Sequence, residues 1–380
     1  MPRRLGAVVA ALVAACGVES TPASNTASAL LAEAERFVTD TDYRRSRLES
    51  SLVFRDNAYS TERLQRYALG PDRGWDALPL ADTAGFPDHQ VPPDPSALRA
   101  LGRQAFFEYP VQVGTTFSDR VGQPGVRDAG DGQAAMSCVL CHGRPESDGT
   151  VTAGATHATL DVGLAYLEGA AAAGMTYPDD QVERMRTWGP GRADVTPDTA
   201  DDPVRITDLR ALGHHHFLQQ AGAVRHRDVT DLAIRLETLL VTSSGRRTRP
   251  PRATTFAMAA WIETLAPPVS PLPTDHPATS TFVDRCARCH DPDGAYTSVE
   301  LVPQEEVGTE PRSAWSPARG TGGYRVPSLA GVSDRWPLLH DGSAPDLPSL
   351  LDPDRTGGHA FTVGLSPGEI DALTDLVASL

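Results

Sequence analysis

Two copies of a Cys-x-x-Cys-His pentapeptide constrain this 380-residue chain more than anything else in it. The first is Cys138-Val139-Leu140-Cys141-His142, and the second is Cys286-Ala287-Arg288-Cys289-His290, 148 residues further on. In such a motif two thiols one helical turn apart suit the two vinyl groups on one edge of a haem. The histidine that follows swings under the ring as the proximal iron ligand. A structural zinc site would want two such pairs close together, and these are far apart in the chain. We therefore expect two covalently attached haems c, on Cys138 and Cys141 and on Cys286 and Cys289, with His142 and His290 as proximal ligands.

The chain has five cysteines, and the fifth is Cys16. It closes a leader: Met1-Pro2-Arg3-Arg4 is a basic start, and Leu5 to Ala15 is an uncharged apolar run. Eleven residues are too few to span a bilayer, so this reads as a signal segment rather than an anchor. Val13-Ala14-Ala15-Cys16 resembles a bacterial lipobox, which makes Cys16 the expected lipidation site; an ordinary signal peptide with a chance cysteine is the alternative. Residues 1–15 are then the signal peptide and 16–28 a tether. Gly17 after the cysteine leans towards a periplasmic location on the outer membrane. Haem attachment outside the cytoplasm agrees with export.

The formal charge is -15, which makes nucleic acid a poor partner and leaves room for a basic electron-donor protein. The 33 glycines and 32 prolines imply short elements and long loops. Helical patterns cover about 29–50, 96–107 (with Ser96 as a possible cap), 158–173, 179–187, 228–241 and 253–265. Ala266-Pro267-Pro268 ends the last of these and reads as a linker. Ser366-Pro367-Gly368-Glu369 is a capping box for a final helix. Strand-like alternation is scarce. The expected fold is all-α: two cytochrome c-like domains, 96–267 and 268–380, behind an N-terminal extension at 29–95.

A haem iron takes a sixth ligand from His or Met, or stays open for chemistry. Three histidines are candidates: His157, fifteen residues after His142; His340, in Leu339-His340-Asp341-Gly342; and His359, just before the final helix. The run His214-His215-His216, with His226 nearby, cannot present three side chains to one site on a helix, and a wet surface face is expected there. Met258 reads as core.

Beyond the motifs, the chain resembles the bacterial di-haem cytochrome c peroxidase superfamily over about 96–380. Leu101-Gly102-Arg103-Gln104-Ala105-Phe106-Phe107 is similar to its opening helix. Tyr324-Arg325-Val326-Pro327-Ser328-Leu329, His340-Asp341-Gly342-Ser343 and Leu365-Ser366-Pro367-Gly368-Glu369 are similar to its C-terminal segments. The resemblance implies that peroxide reacts at the first haem, where His157 matches the spacing of a displaceable ligand. It implies that the second haem relays electrons, with its distal ligand in the loop before the last helix. The peroxidases have Met there; His359 takes that place, implying a bis-His haem of lower potential.

The peroxidases' first-domain Phe-Trp-Asp-Gly-Arg-Ala stretch and its downstream acid–base Glu have no match here. Trp188 to Val195 and Asp202 to Ile206 stand in their place. Glu168 and Glu183 are the stand-in acids, though a solvated helix face explains both equally. The family's calcium position has no clear Asn. The expected function is an exported di-haem, peroxidase-like oxidoreductase that takes electrons from a small cytochrome or cupredoxin. A lipid-tethered electron carrier without catalysis is the alternative.

Overall fold

The computed structural model describes residues 27–53, 78–81, 85–194, 202–243, 248–316 and 320–380. The leader, Cys16 with the lipidation reading, and most of the tether lie outside the described residues.

The chain begins with two helices, α1 (Ala27–Thr39) and α2 (Thr41–Ser51), where the sequence pattern read as one. The break is at Asp40, whose carboxylate accepts from Tyr43 N (2.8 Å) and so starts a new helix. Arg44 is buried and donates to the Phe37 and Val38 carbonyls, satisfying the end of α1. Next comes α3 (Pro95–Glu108), capped by Asp94 with Pro95 in its first turn, so Ser96 is inside the helix and not its cap. The first half continues with α4 (Val162–Ala172), α5 (Asp179–Trp188), α6 (Val229–Ser243) and α7 (Arg252–Glu263). The second half has α8 (Thr279–Arg285), the short α9 (Gln304–Val307), α10 (Arg312–Trp315) and α11 (Leu347–Leu351), and α12 (Pro367–Ala378). The capping box forms at α12: the Ser366 and Glu369 side chains satisfy each other's backbone N–H groups.

The all-α expectation is corrected by five small antiparallel sheets among the described residues. β1 (Gln112–Gly114), β2 (Val126–Gly130) and β3 (Gln133–Met136) form a three-stranded sheet in the order β1-β3-β2. The other sheets are pairs: β4 (Gly143–Pro145) with β5 (Val151–Ala153), β6 (Arg192–Ala193) with β7 (Val204–Arg205), β8 (Phe217–Leu218) with β9 (Val224–Arg225), and β10 (Val302–Pro303) with β11 (Gly323–Tyr324). Strands of two to five residues are too short to show a period of two. Their turns were more legible. Asp131-Gly132 joins β2 to β3 with both φ angles positive (51° and 71°), the geometry that a two-residue Asp-Gly hairpin adopts.

Three apolar clusters hold these elements. The largest joins α1, α3, α6 and α7, so the N-terminal helices belong to the first half's core. Phe37 on α1 meets Phe256 on α7 with ring centres 5.5 Å apart. α3 and α7 cross closely: a side-chain carbon on Gly102 would lie 2.0 Å from the Ala257 carbonyl oxygen. A second cluster, including Phe117, Leu160, Met185 and Trp188, sits beside Cys141. The third, around Phe282, Leu373 and Leu376, is the core of the second half.

An internal repeat relates the halves at an offset of 120 residues. A 3-10 turn at Leu212–His214 is matched by one at Val332–Asp334. The Leu218–Val224 pairing is matched by Leu338–Ala344. Left-handed Gln219 and Gly222 (φ 66° and 64°) are matched by Leu339 and Gly342 (φ 67° and 70°). The repeats also bond reciprocally. Arg205 N donates to His340 O (2.8 Å), and Arg325 N donates to Gln220 O (3.2 Å). Reciprocal bonding between equivalent residues is the signature of a two-fold arrangement.

Candidate functional site

Each Cys-x-x-Cys-His motif is one helical turn. His142 N donates to Cys138 O (2.9 Å), and His290 N donates to Cys286 O (2.8 Å). Both thiols of each pair therefore leave the same turn, and the histidine comes next. Its ring is then fixed by a backbone carbonyl: His142 Nδ1 donates to Thr207 O (2.8 Å), and His290 Nδ1 to Tyr296 O (3.0 Å). A carbonyl can only accept, so the proton is on Nδ1 and each Nε2 keeps its lone pair for a ligand. Burial lowers the pKa of both histidines and keeps them neutral. The four cysteines are free of disulfides. Burial pushes the Cys138 and Cys141 thiols up to about 12 and Cys286 to about 11. Thiols held that high are poor thiolate nucleophiles.

In the second half a cavity of about 700 Å³ opens beside Cys286, Cys289 and His290. His359 lies across it. The His359 and His290 ring centres are 6.5 Å apart, at 66° between planes. His359 adopts a left-handed backbone (φ 57°), and its N–H donates to Val307 O (2.7 Å). The preceding Gly358 makes this possible: a side-chain carbon there would lie 2.3 Å from the Gly308 backbone. Burial, then the nearby His290 and Arg355, bring the His359 pKa down to about 4. His340 lines the same cavity, stacked on Tyr324 with ring centres 4.1 Å apart. Its Nε2 has no hydrogen-bond partner and lies 3.8 Å from the Glu310 carboxylate.

His157 is placed differently. Its Nδ1 donates to Leu140 O (2.8 Å) and its backbone N to Cys141 O (3.0 Å). That bond ties the ring to the first motif's own backbone and leaves its Nε2 a lone pair. The acids Glu168 and Glu183 are both exposed, and Glu168 lies 3.7 Å from Arg120. Met258 is buried with its Sδ 3.6 Å from Cys138 Sγ. Trp188 is buried, whereas Trp336 is 43% exposed beside Arg144. Among the described residues no group of three or more His, Cys, Asp and Glu side chains gathers to hold a metal ion, calcium included.

The histidine run is not a wet helix face. His214–His216 lies in a 3-10 turn and the extended residues after it, and His215 is buried. Its Nε2 accepts from Ser328 N (3.1 Å), and Arg325 Nη1 lies 2.8 Å from its Nδ1. His226 is also buried, donating from Nδ1 to His215 O, with its Nε2 3.2 Å from the Glu263 carboxylate.

Three buried arginines went unnoticed in the sequence as site residues. Arg205, Arg325 and Arg335 all line the cavity. Burial lowers all three, bringing Arg325 to about 9 and Arg335 to about 10, and neighbouring arginines add to this at Arg325 and Arg335. Asp208 and Asp341 oppose the shift at Arg205. The Asp208 carboxylate, however, is bound by Arg210 (2.7 Å). The signal that could have found two of these is the repeat itself: Val204-Arg205-Ile206 and Tyr324-Arg325-Val326 are 120 residues apart.

No family model matches the chain, and no curated protein matches it. Among solved structures, a xenon-pressurised hydrazine synthase of Kuenenia stuttgartiensis aligns with it. The alignment covers 78% of this chain and 90% of that one, at 14% identity and a TM-score of 0.42. At that score the likeness establishes neither a shared fold nor a shared activity.

Proposed function

We propose that this chain is an exported di-haem c-type cytochrome of the di-haem peroxidase kind, reducing peroxide or a similar oxidant at its first haem with electrons relayed by its second. The observation that carries the haem reading is the pair of facing imidazoles, 6.5 Å apart, with two thiols at the rim of the cavity between them. Two metal–imidazole bonds of about 2 Å, with about 1 Å from each ring centre to its nitrogen, add to about 6 Å. The cavity volume suits a tetrapyrrole. The three buried guanidiniums, short of carboxylates, suit its two propionates.

Cys286 and Cys289 would hold the second haem by thioether bonds, and His290 and His359 would supply imidazole nitrogens to its iron. Cys138 and Cys141 would hold the first, with His142 beneath it. When bound, each iron supplies a one-electron redox centre, and an iron lacking a sixth ligand supplies a site for peroxide. The chain's residues set this division. His359 is half-buried, neutral and anchored by its own N–H, so it would cap the second site firmly. His157 is held on the first motif's own backbone by one hydrogen bond to Leu140 O, and it would serve the first site as a displaceable ligand. Peroxide reduction consumes two electrons and two protons to give two waters. Buried Tyr296 and Phe282 pack behind the second site and keep water from that side.

The second reading is a lipid-tethered electron carrier through Cys16. It is favoured by the exposure of Glu168 and Glu183, which gives neither the burial that raises a catalytic acid's pKa. The acidic surface suits a basic donor such as a small cytochrome or cupredoxin under either reading. The deciding experiment is spectroscopy of the half-reduced chain with and without peroxide. A peroxide-sensitive high-spin signal from one haem is the expected result. A wholly low-spin spectrum that ignores peroxide would leave the carrier.

A further inference from the structure

Arg205 belongs to the first half by chain order, yet it lines the cavity of the second. Its guanidinium reaches into the second half and donates to the Pro337 carbonyl, with the Arg335 carbonyl 3.5 Å away. Only 8% of the residue is exposed, and its Nε has no hydrogen-bond partner. His340 lines the same cavity with a buried Nε2 that also lacks one. A buried donor left unpaired is costly, and a buried cation without a counter-charge more so. The acids in range are few: Asp208, already bound by Arg210, Asp341 on the loop that carries His340, and Asp202 and Glu310 near His340, the Glu310 carboxylate 3.8 Å from its Nε2 and too far for a hydrogen bond. The missing partner is an anion with at least two acceptor oxygens, inside the cavity.

We propose that Arg205 and His340 form a carboxylate-binding site for a propionate of the haem on Cys286 and Cys289, so that the first half of the chain grips the second half's haem. The proposal rests on the haem reading given above. The repeat extends it. Arg325 is the counterpart of Arg205, and its Nε donates to Gln219 O (2.9 Å) across the interface into the first half. Each half therefore reaches into the other with an equivalent arginine. Loading of the second haem and docking of the two halves become one equilibrium, because Arg205 finds its counter-ion only when both are complete.

The test uses the full chain with both haems attached, comparing Arg205→Gln, Arg205→Lys and His340→Gln with the parent. The two redox signals are assigned with a Cys286→Ser/Cys289→Ser chain, which lacks the second attachment. Losing a cation beside a haem favours its oxidised form. Arg205→Gln should shift the oxidised-to-reduced ratio of the second haem about tenfold at fixed potential, which is ~59 mV for a one-electron couple. His340→Gln should move it the same way by less, and Arg205→Lys should retain most of the parent value. A shift confined to the first haem, or none at either, would overturn the proposal. If Arg205→Gln does not accumulate folded, a parent-like second haem in His340→Gln together with a first-haem shift in Arg205→Lys overturns it equally. Failure of the haem reading itself would look different: the parent chain would carry no covalent haem by mass.

Discussion

Phe37→Ala would measure how far the N-terminal helices hold up the first site. Phe37 is completely buried on α1 and packs on Phe256 of α7. α7 is the helix whose Met258 touches Cys138. Deleting a buried phenyl group costs about 3–5 kcal/mol, through lost transfer energy and the cavity left behind. Arg44 holds the end of α1 by the Phe37 and Val38 carbonyls, which hinders collapse of α1 into the cavity and favours the upper part of that range. A loss of about 4 kcal/mol is a large share of the roughly 5–15 kcal/mol that typically holds a domain together. With a urea slope of about 2 kcal/mol/M, the midpoint should fall by about 2 M. The assay is urea unfolding followed separately at each attached haem. The first-half transition should move, and the second-half transition, with its core around Phe282 and Leu376, should move little. A loss under about 1 kcal/mol, or equal loss in both transitions, would refute the reasoning.

Three further outcomes follow from single contacts. His359→Ala should convert the second haem to a high-spin form that added imidazole returns to low spin; an unchanged absorption spectrum would mean that another residue caps that iron. Gly358→Ala should do the same in part, because its side-chain carbon collides with Gly308 and pushes His359 off its anchor. Resonance Raman spin-state markers would show it. Asp88 binds both Arg249 nitrogens (2.7 Å each) and Arg252 N (2.9 Å), which hold its carboxyl below the usual range against the opposing effect of burial. That stabilisation is full above the unfolded value near 3.8 and is lost as pH falls through the lower folded value, so Asp88→Asn should cost about 2 kcal/mol at neutral pH and flatten the acid limb of a stability–pH curve.

What could be read from the sequence was whatever depends on spacing along the chain. The two motifs give one helical turn each because their thiols and histidine are neighbours. The α12 cap is legible because Ser366 and Glu369 are three residues apart. The long helices are legible because their apolar residues recur every third or fourth position. The facing of His290 and His359 is not a matter of spacing, since 69 residues separate them; the resemblance pointed to His359, and the structure shows that its anchor is Val307 O. His157 shows the opposite limit. Its spacing suits a ligand, and the hydrogen bond from its Nδ1 to Leu140 O, which fixes the ring, could not be read from that spacing. The small sheets escaped because their strands are shorter than any periodicity, although the Asp-Gly turn at 131–132 was there to be read.

The repeat then explains why the two sites are not alike. Both halves keep the same frame: the 3-10 turn, the left-handed pair, the reciprocal arginine N–H groups. They differ in the side chains hung on it. His215 stands where the second half has Arg335, and Gln220 stands where it has His340. Each exchange places the more basic side chain in the second half, on residues that line the His290–His359 cavity. Holding a haem's propionates with more positive charge favours its reduced form, and capping its iron with two imidazoles keeps it six-coordinate. A relay needs both of these, and a reacting haem is better without the second. Under the proposed function, the divergence between equivalent positions points the same way as the ligands do, towards electron storage at His290 and reaction with the oxidant at His142.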